Sequence, residues 1–268
     1  MYKLGTLVSV YHAEDPALFT RAMQSIITQQ ISAPAEVRIY LGVDGAVPDA
    51  LRTAIEKIEP HIYKLFWFKN NRGLAHVMND LISAREDEDF FFRMDTDDVS
   101  LPQRFDHQLH YMLNHPGVDI SGTDMVELDT KSHTSRVVRY ANSHEQARQL
   151  IAYRVPVAHA TVCFRASVFD RVSGYPIVHF NEDIAMWFAC MKAGLHFDNL
   201  HEPLYEFRLD ERFWQRRGFV KAWSEFLVYV TGLWDLEGVT WKYISAGAIY
   251  YADCAIASSE NGVQQQVS

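Results

Sequence analysis

The sequence predicts an α/β protein: a mixed, mostly parallel sheet flanked by helices, followed by a helical C-terminal extension. Three observations predict it. Short Val-, Leu- and Phe-rich runs alternate with segments of helical period from Leu4 to Met94, the pattern of βα units. Gly, Pro, Asn and Asp punctuate the joints between them. The composition, 48% hydrophobic and 22% charged over 268 residues, is that of a folded protein long enough to bury a full core.

The elements follow in order. Residues 4–11 read as a buried strand closed by the polar turn HAEDP. Pro16 then starts a helix that keeps Leu18, Met23, Ile26 and Ile27 in register through Gln30. Residues 37–43 form a second strand ending at Asp44-Gly45, residues 50–58 a helix, and residues 63–68 a third apolar strand. Gly73 opens a helix over 74–85, with Leu74, Val77, Met78, Leu81 and Ile82 on one face. Residues 90–94 are a fourth strand that stops abruptly at DTDD. Beyond Pro102 come a helix over 103–114, a strand near 118–122, a strand-containing excursion and helix over 123–150, a short strand over 159–165, the turn SGYP, and a helix over 182–193 ended by Gly194. The last stretch is helical by pattern and rich in aromatics, including Trp214, Trp223, Trp234 and Trp241. Without a linker or repeat, the chain divides into one α/β domain over 1–210 and an aromatic-rich helical extension over 211–268.

Lys plus Arg is 25 against 34 Asp plus Glu, a formal net charge of −9. A general nucleic-acid binder needs a basic face, so nucleic acid is excluded as a partner. Any anionic ligand then needs a local cation cluster or a metal. Cys163, Cys190 and Cys254 sit apart in apolar settings with no CxxC pair, which suits buried thiols in a reducing compartment. The opening MYKLGTLVSVYH reads as a strand rather than a signal peptide, and no run of about 18 apolar residues occurs. The expected location is the cytoplasm.

Chemistry concentrates where strands end. In an open α/β sheet the ligand crevice lies beyond the carboxyl ends of the strands, and Asp44 and the run Asp95-Thr96-Asp97-Asp98 both occupy such ends. Three carboxylates this close repel one another unless a hard divalent cation joins them, and Mn²⁺ or Mg²⁺ completes its shell with phosphate and water. A solvated turn ahead of the next helix would explain the same residues without metal. A second acidic point, Asn181-Glu182-Asp183, precedes an apolar helix. There Asn181 reads as an N-cap with acids in the first turn, and a carboxylate so fixed is also held as a general base must be. Lys69, Arg72 and Arg93 flank the crevice and would assist with phosphate, unless they serve as ordinary ion-pair partners.

In sequence order, SVYH, SIITQQ, VDGA, KNNRGLAHVMN, RMDTDD, LPQRF, HATVCFR, SGYP and NED resemble glycosyltransferase family 2. Each run is weak alone; their joint order is specific. RMDTDDVSLPQRFDHQL and HATVCFRASVFDRVSGYP are similar to the bacterial branch that builds exopolysaccharide and O-antigen repeats. The resemblance covers about residues 4–210. It implies the Rossmann-like GT-A fold and an inverting, metal-dependent transfer of a hexose from a nucleotide sugar, typically UDP-linked, to a saccharide or undecaprenyl-diphosphate-linked acceptor. It also implies roles. Asp44 matches the acidic contact to the nucleotide base; Asp95 and Asp97 match the DXD pair for ribose and metal-bound diphosphate, with Asp98 as the alternative ligand. Asp183 matches the general base, with Glu182 beside it, and His159 and Arg165 match a strand that faces sugar and acceptor. One departure stands out: the usual paired acids at the second strand are reduced to Val43-Asp44.

Between 208 and 221 the charge reverses, with Arg208, Arg212, Arg216, Arg217 and Lys221 against Asp210 and Glu211. This segment reads either as a solvated helix over an aromatic core or as a cationic clamp. Arg216 and Arg217 would then contact diphosphate or an anionic membrane at the inner face of the cytoplasmic membrane. A non-catalytic nucleotide-sugar-binding subunit and a sugar nucleotidylyltransferase are the rival readings. The latter fits poorly, because the first strand leads into YHAEDP rather than a Gly-rich phosphate loop.

Overall fold

The structure, a computed structural model, describes residues 1–178, 180–210 and 219–237. Strands β1 (Tyr2–Tyr11), β2 (Ala35–Asp44), β3 (Ile62–Phe68) and β4 (Phe90–Met94) pair in parallel in the order β3-β2-β1-β4. Helices α1 (Pro16–Ile27), α2 (Asp49–Ile58) and α3 (Leu74–Ser83) connect them. Side chains alternate along a strand, and this divides the core into two layers. Leu4, Val8, Ile39, Leu41, Phe90 and Phe92 pack against α1 and α2, while Leu7, Tyr40 and Phe91 pack against α3. The start of α1 is set as its sequence predicts. Asp15 Oδ1 accepts from Ala17 N–H at 2.8 Å and Leu18 N–H at 3.1 Å, a cap worth about 1 kcal/mol.

The second half continues the sheet through β5 (Val99–Ser100), α4 (Arg104–Asn114), β6 (Ile120–Asp129), β7 (Thr134–Val138), α5 (His144–Leu150), β8 (Cys163–Arg165), α6 (Val168–Arg171), α7 (Glu182–Lys192) and β9 (Phe197–Leu209). The described strands run β3-β2-β1-β4-β8-β6-β9-β5, with β7 on β6. The β6–β9 pair is parallel, whereas β8, β7 and β5 join antiparallel. Two expectations change. The strand anticipated over 159–165 is a 3-10 turn at His159–Thr161 followed by β8. The long strand β9 was not anticipated, because His-Glu-Pro at 201–203 breaks its apolar alternation. Its ladder with β6 absorbs Pro203 by shifting register after Thr123.

A last helix, α8 (Phe219–Glu237), lies parallel to α7. Asn181 Nδ2 donates to the Lys221 carbonyl at 3.4 Å, the Phe188 and Tyr229 rings meet edge to face at 5.8 Å, and Lys192 pairs with Asp235 at 2.9 Å. Both helices therefore start at the same end of the molecule. Among the described residues, no helix is long and apolar enough to cross a membrane. Cys163 and Cys190 are buried free thiols, and Cys254 lies outside the described residues.

Candidate active site

Register brings the strand ends together. Tyr11 lies opposite Asp44 and Asp44 opposite Phe68, while β4 stops with Met94 opposite Val8. The DTDD turn and the loop after β2 thus share one edge of the sheet.

Asp44, expected to contact the nucleotide base, has a structural task at the start of α3. Its Oδ1 accepts from Arg72 N–H at 2.9 Å and its Oδ2 from Gly73 N–H at 2.8 Å, and only 3% of the residue is exposed. The physical reason lies at the start of α3. Gly73 is the cap residue and has no side chain to satisfy the orphan amides, so the anion comes from Asp44. Gly45 at φ +88° permits this approach: a Cβ there would lie 2.8 Å from Asn71 N.

Arg93 and Asp95 follow Phe91 on the sheet face that carries α3 and α7. Arg93 is 4% exposed, and its Nη1 meets the Asp95 carboxylate in an ion pair. Its Nε has no hydrogen-bond partner among the described residues. A buried donor left so costs about 1–3 kcal/mol, which marks the position as more than structural. The carboxylate keeps the guanidinium firmly protonated against the effect of burial. The field of Arg93 also reaches Glu182 and Asp183, where it favours the charged forms, and His159, where it disfavours it.

The acid pair at the start of α7 is reached through two consecutive left-handed residues, Phe180 (φ 63°) and Asn181 (φ 58°). Non-glycine residues rarely adopt this region, and such strain is held where the surroundings over-determine it. Asn181 makes no side-chain cap, contrary to expectation, because its amide reaches across to Lys221 on α8. Burial lifts the pKa of both carboxyls above the ordinary range; for Glu182 the charge of Asp183 adds to the rise.

Asp98 is enclosed. Its Oδ2 accepts from the Tyr205 hydroxyl at 3.0 Å and its Oδ1 from Arg208 N–H at 2.8 Å, while the same hydroxyl accepts from Asp95 N–H at 3.2 Å. Burial, reinforced by the charges of Asp95 and Asp97, raises its pKa well above the ordinary carboxylate value. As the alternative metal ligand it is poorly disposed, because both oxygens already tie the turn to β9. Behind β4, buried Arg104 donates from Nη2 to the Arg93 carbonyl at 3.0 Å and from Nε to Gln108 at 3.0 Å, with its guanidinium over the Tyr205 ring at 5.0 Å. Burial pushes its pKa down to about 10. The LPQRF run therefore supplies an internal brace for the DTDD strand, a role that sequence reasoning missed.

His159 joins the cluster through Tyr175, whose hydroxyl lies 2.7 Å from His159 Nε2, and burial holds the imidazole neutral. Arg165 does not join it. It pairs with Phe90 at the amino end of β4 and donates to the carbonyls of Val118 (2.7 Å), Met112 (2.5 Å) and His115 (3.1 Å). β8 runs antiparallel to β4, so the two ends of this short segment point to opposite edges, and Arg165 caps α4 instead of facing a sugar. Arg72 stacks its guanidinium over Phe68 at 4.2 Å and pairs with Asp80; Lys69 is exposed at the same edge. Arg212, Arg216 and Arg217 lie outside the described residues. Lys221 is described, and its charge favours the ionised forms of Asp183 and Glu182.

Among the described residues, no three His, Cys, Asp or Glu side chains form a ligating group by themselves. The half-buried carboxylates Asp95 and Asp97 are the residues here that could hold a Mn²⁺ or Mg²⁺ ion, of the kind that takes its remaining oxygens from a diphosphate and water.

A family model described as glycosyltransferase-like family 2 matches residues 5–206. The chain belongs to glycosyltransferase family 2. This family 2 enzyme is 29% identical over 229 residues to the amylovoran biosynthesis glycosyltransferase AmsE of Erwinia amylovora, with 84% of each chain covered. It is 27% identical over 220 residues to the Escherichia coli UDP-Gal:alpha-D-GlcNAc-diphosphoundecaprenol beta-1,3-galactosyltransferase, covering 82% of this chain and 78% of that one. Residues 1–349 of Staphylococcus aureus TarS, solved with UDP-GlcNAc, superpose with a TM-score of 0.69 at 15% identity, over 99% of this chain and 76% of that one. The fold of the family 2 enzyme is GT-A, as the resemblance implied.

Proposed function

We propose that the enzyme transfers a hexose, with inversion, from a UDP-linked donor to a saccharide or lipid-diphosphate-linked acceptor in bacterial surface polysaccharide synthesis. The observation that carries this reading is the Arg93–Asp95 ion pair at the carboxyl end of β4, with Glu182 and Asp183 at the start of α7 within reach of the Arg93 charge. The names of the relatives support the chemistry: one acts in amylovoran biosynthesis, and another is named for UDP-Gal and a diphosphoundecaprenol-linked acceptor.

In this reading Asp183 takes the proton from an acceptor hydroxyl, whose oxygen then attacks the anomeric carbon opposite the leaving diphosphate. A pKa lifted by burial makes the carboxylate a stronger base, and the helix start holds it in place. Asp95 and Asp97 would hold Mn²⁺ or Mg²⁺, which when bound neutralises charge on the diphosphate. Arg93 adds a fixed positive charge beside them. Glu182 stands beside the base, and the charge of Asp183 adds to burial in raising the proton affinity of Glu182. Direct attack at carbon, with no enzyme carboxylate used as a nucleophile, gives inversion.

A donor panel tests the reading: UDP-, GDP- and dTDP-hexoses are incubated with Mn²⁺, and free nucleotide is measured. Release of UDP above the other nucleotides is expected. Release from none of them, or only from GDP- or dTDP-sugars, would overturn the donor assignment.

A further inference from the structure

Among the described residues, Arg93 Nε has no hydrogen-bond partner although only 4% of the residue is exposed. Its carbonyl is held by Arg104 Nη2 at 3.0 Å and its N–H donates to the Val162 carbonyl at 3.1 Å, so the backbone is pinned. The guanidinium is buried at the carboxyl end of β4, meets Asp95, and leaves Nε without a hydrogen-bond partner among the described residues. A planar donor fork in that condition is suited to receive a further anion. The carboxylate that it meets is also one on which a divalent cation would depend. Two cationic groups at one carboxylate repel each other unless more negative charge arrives.

Resting on the reading that Asp95 and Asp97 hold the cation, we propose that Arg93 is a positioning residue that couples donor binding to cation binding. Its guanidinium competes with the cation for Asp95 and yields the carboxylate when a diphosphate offers it another anion. Free nucleoside diphosphate and nucleotide sugar share this chemistry, so UDP serves as the probe. Reciprocity follows: whatever factor UDP adds to cation affinity, the cation adds to UDP affinity. The pinned backbone makes the exchange a side-chain movement only.

The test uses the full chain and calorimetric titration of Mn²⁺ with and without saturating UDP. In the wild type UDP is expected to tighten Mn²⁺ binding by about tenfold or more. Arg93→Gln is expected to bind Mn²⁺ more tightly than the wild type when UDP is absent, and to show a smaller UDP enhancement, since only direct ligation by the diphosphate remains. Unchanged or weaker Mn²⁺ binding by R93Q without UDP, or a full enhancement retained, would overturn the proposal. A wild type that binds no Mn²⁺ in either condition would overturn the metal reading itself, and the coupling with it.

A second measurement needs no metal. In EDTA, Asp95→Asn is expected to bind UDP several-fold more tightly than the wild type, because the guanidinium is released to the diphosphate. No gain would overturn the proposal. Where R93Q folds, the D95N/R93Q double variant separates causes: the gain is expected to vanish, and a gain that survives would reflect only the loss of a negative charge.

Discussion

Asn79 holds Tyr175 by both of its backbone groups: Nδ2 donates to the Tyr175 carbonyl at 2.9 Å, and Oδ1 accepts from its N–H at 2.6 Å. Gly174, at φ +89°, makes room, since a Cβ there would lie 2.3 Å from Asn79 Oδ1. The Tyr175 hydroxyl in turn meets His159 Nε2 at 2.7 Å. One amide on α3 therefore fixes a turn almost a hundred positions later, and with it the His159 imidazole, which feels the charge of Arg93. Asn79→Ala is expected to cost about 2 kcal/mol by urea denaturation, from two lost hydrogen bonds. Wild-type stability in that variant would show that the grip contributes little.

The acid pair makes stability and activity depend on pH in opposite ways. Burial raises the pKa of Asp183 and Glu182 above that of the unfolded chain. Between the ordinary carboxylate pKa and the raised one, the native state binds more protons than the unfolded state, so stability falls as pH rises through that window. Transfer needs the ionised base and should rise over the same window, with its acid limb above the usual carboxylate range. Asp183→Asn removes the buried charge and is expected to raise the Tm at neutral pH by about 2–4 °C. An unchanged or lower Tm would contradict this account of burial.

Arg165→Ala tests the reassignment of that residue. Loss of three carbonyl contacts, at Met112 and His115 at the end of α4 and at Val118 beyond it, should destabilise the fold by about 1–3 kcal/mol. The KM values for donor and acceptor should stay at wild-type levels in the folded fraction. A raised KM with unchanged stability would return Arg165 to the sugar-facing role.

Asp44→Ala removes the acceptor for Arg72 and Gly73 amides, and about 1–2 kcal/mol of stability is expected to go with it. The order of preference among UDP, GDP and dTDP should persist. A switch in that order at constant Tm would favour a direct base contact.

Much of this was legible in the residues because it is local. The parallel half of the sheet follows from runs of branched and aromatic residues alternating with helical faces, and the acids at 95–98 and 182–183 announce themselves by clustering. What was not legible depends on distant pairing. Nothing in VDGA tells that Asp44 must serve a helix capped by a glycine, and a short strand does not reveal that Arg165 lies at its far edge. Tyr205 and Arg104 act on the DTDD turn across the sheet, and β9 hides behind its own His-Glu-Pro interruption. The net charge of −9 concealed the same point: buried Arg93 and Arg104 stand directly behind the acids.

The most direct test of Asp183 as the general base compares Asp183→Asn with the wild type in two assays on one preparation. Donor binding is measured by titration of a UDP-sugar with Mn²⁺, and transfer by product formed on a saccharide acceptor. The expected result is donor affinity within about threefold of wild type and transfer lowered by about 10²–10⁴-fold, the range set by loss of a general base. Transfer near the wild-type rate with donor binding intact would contradict it.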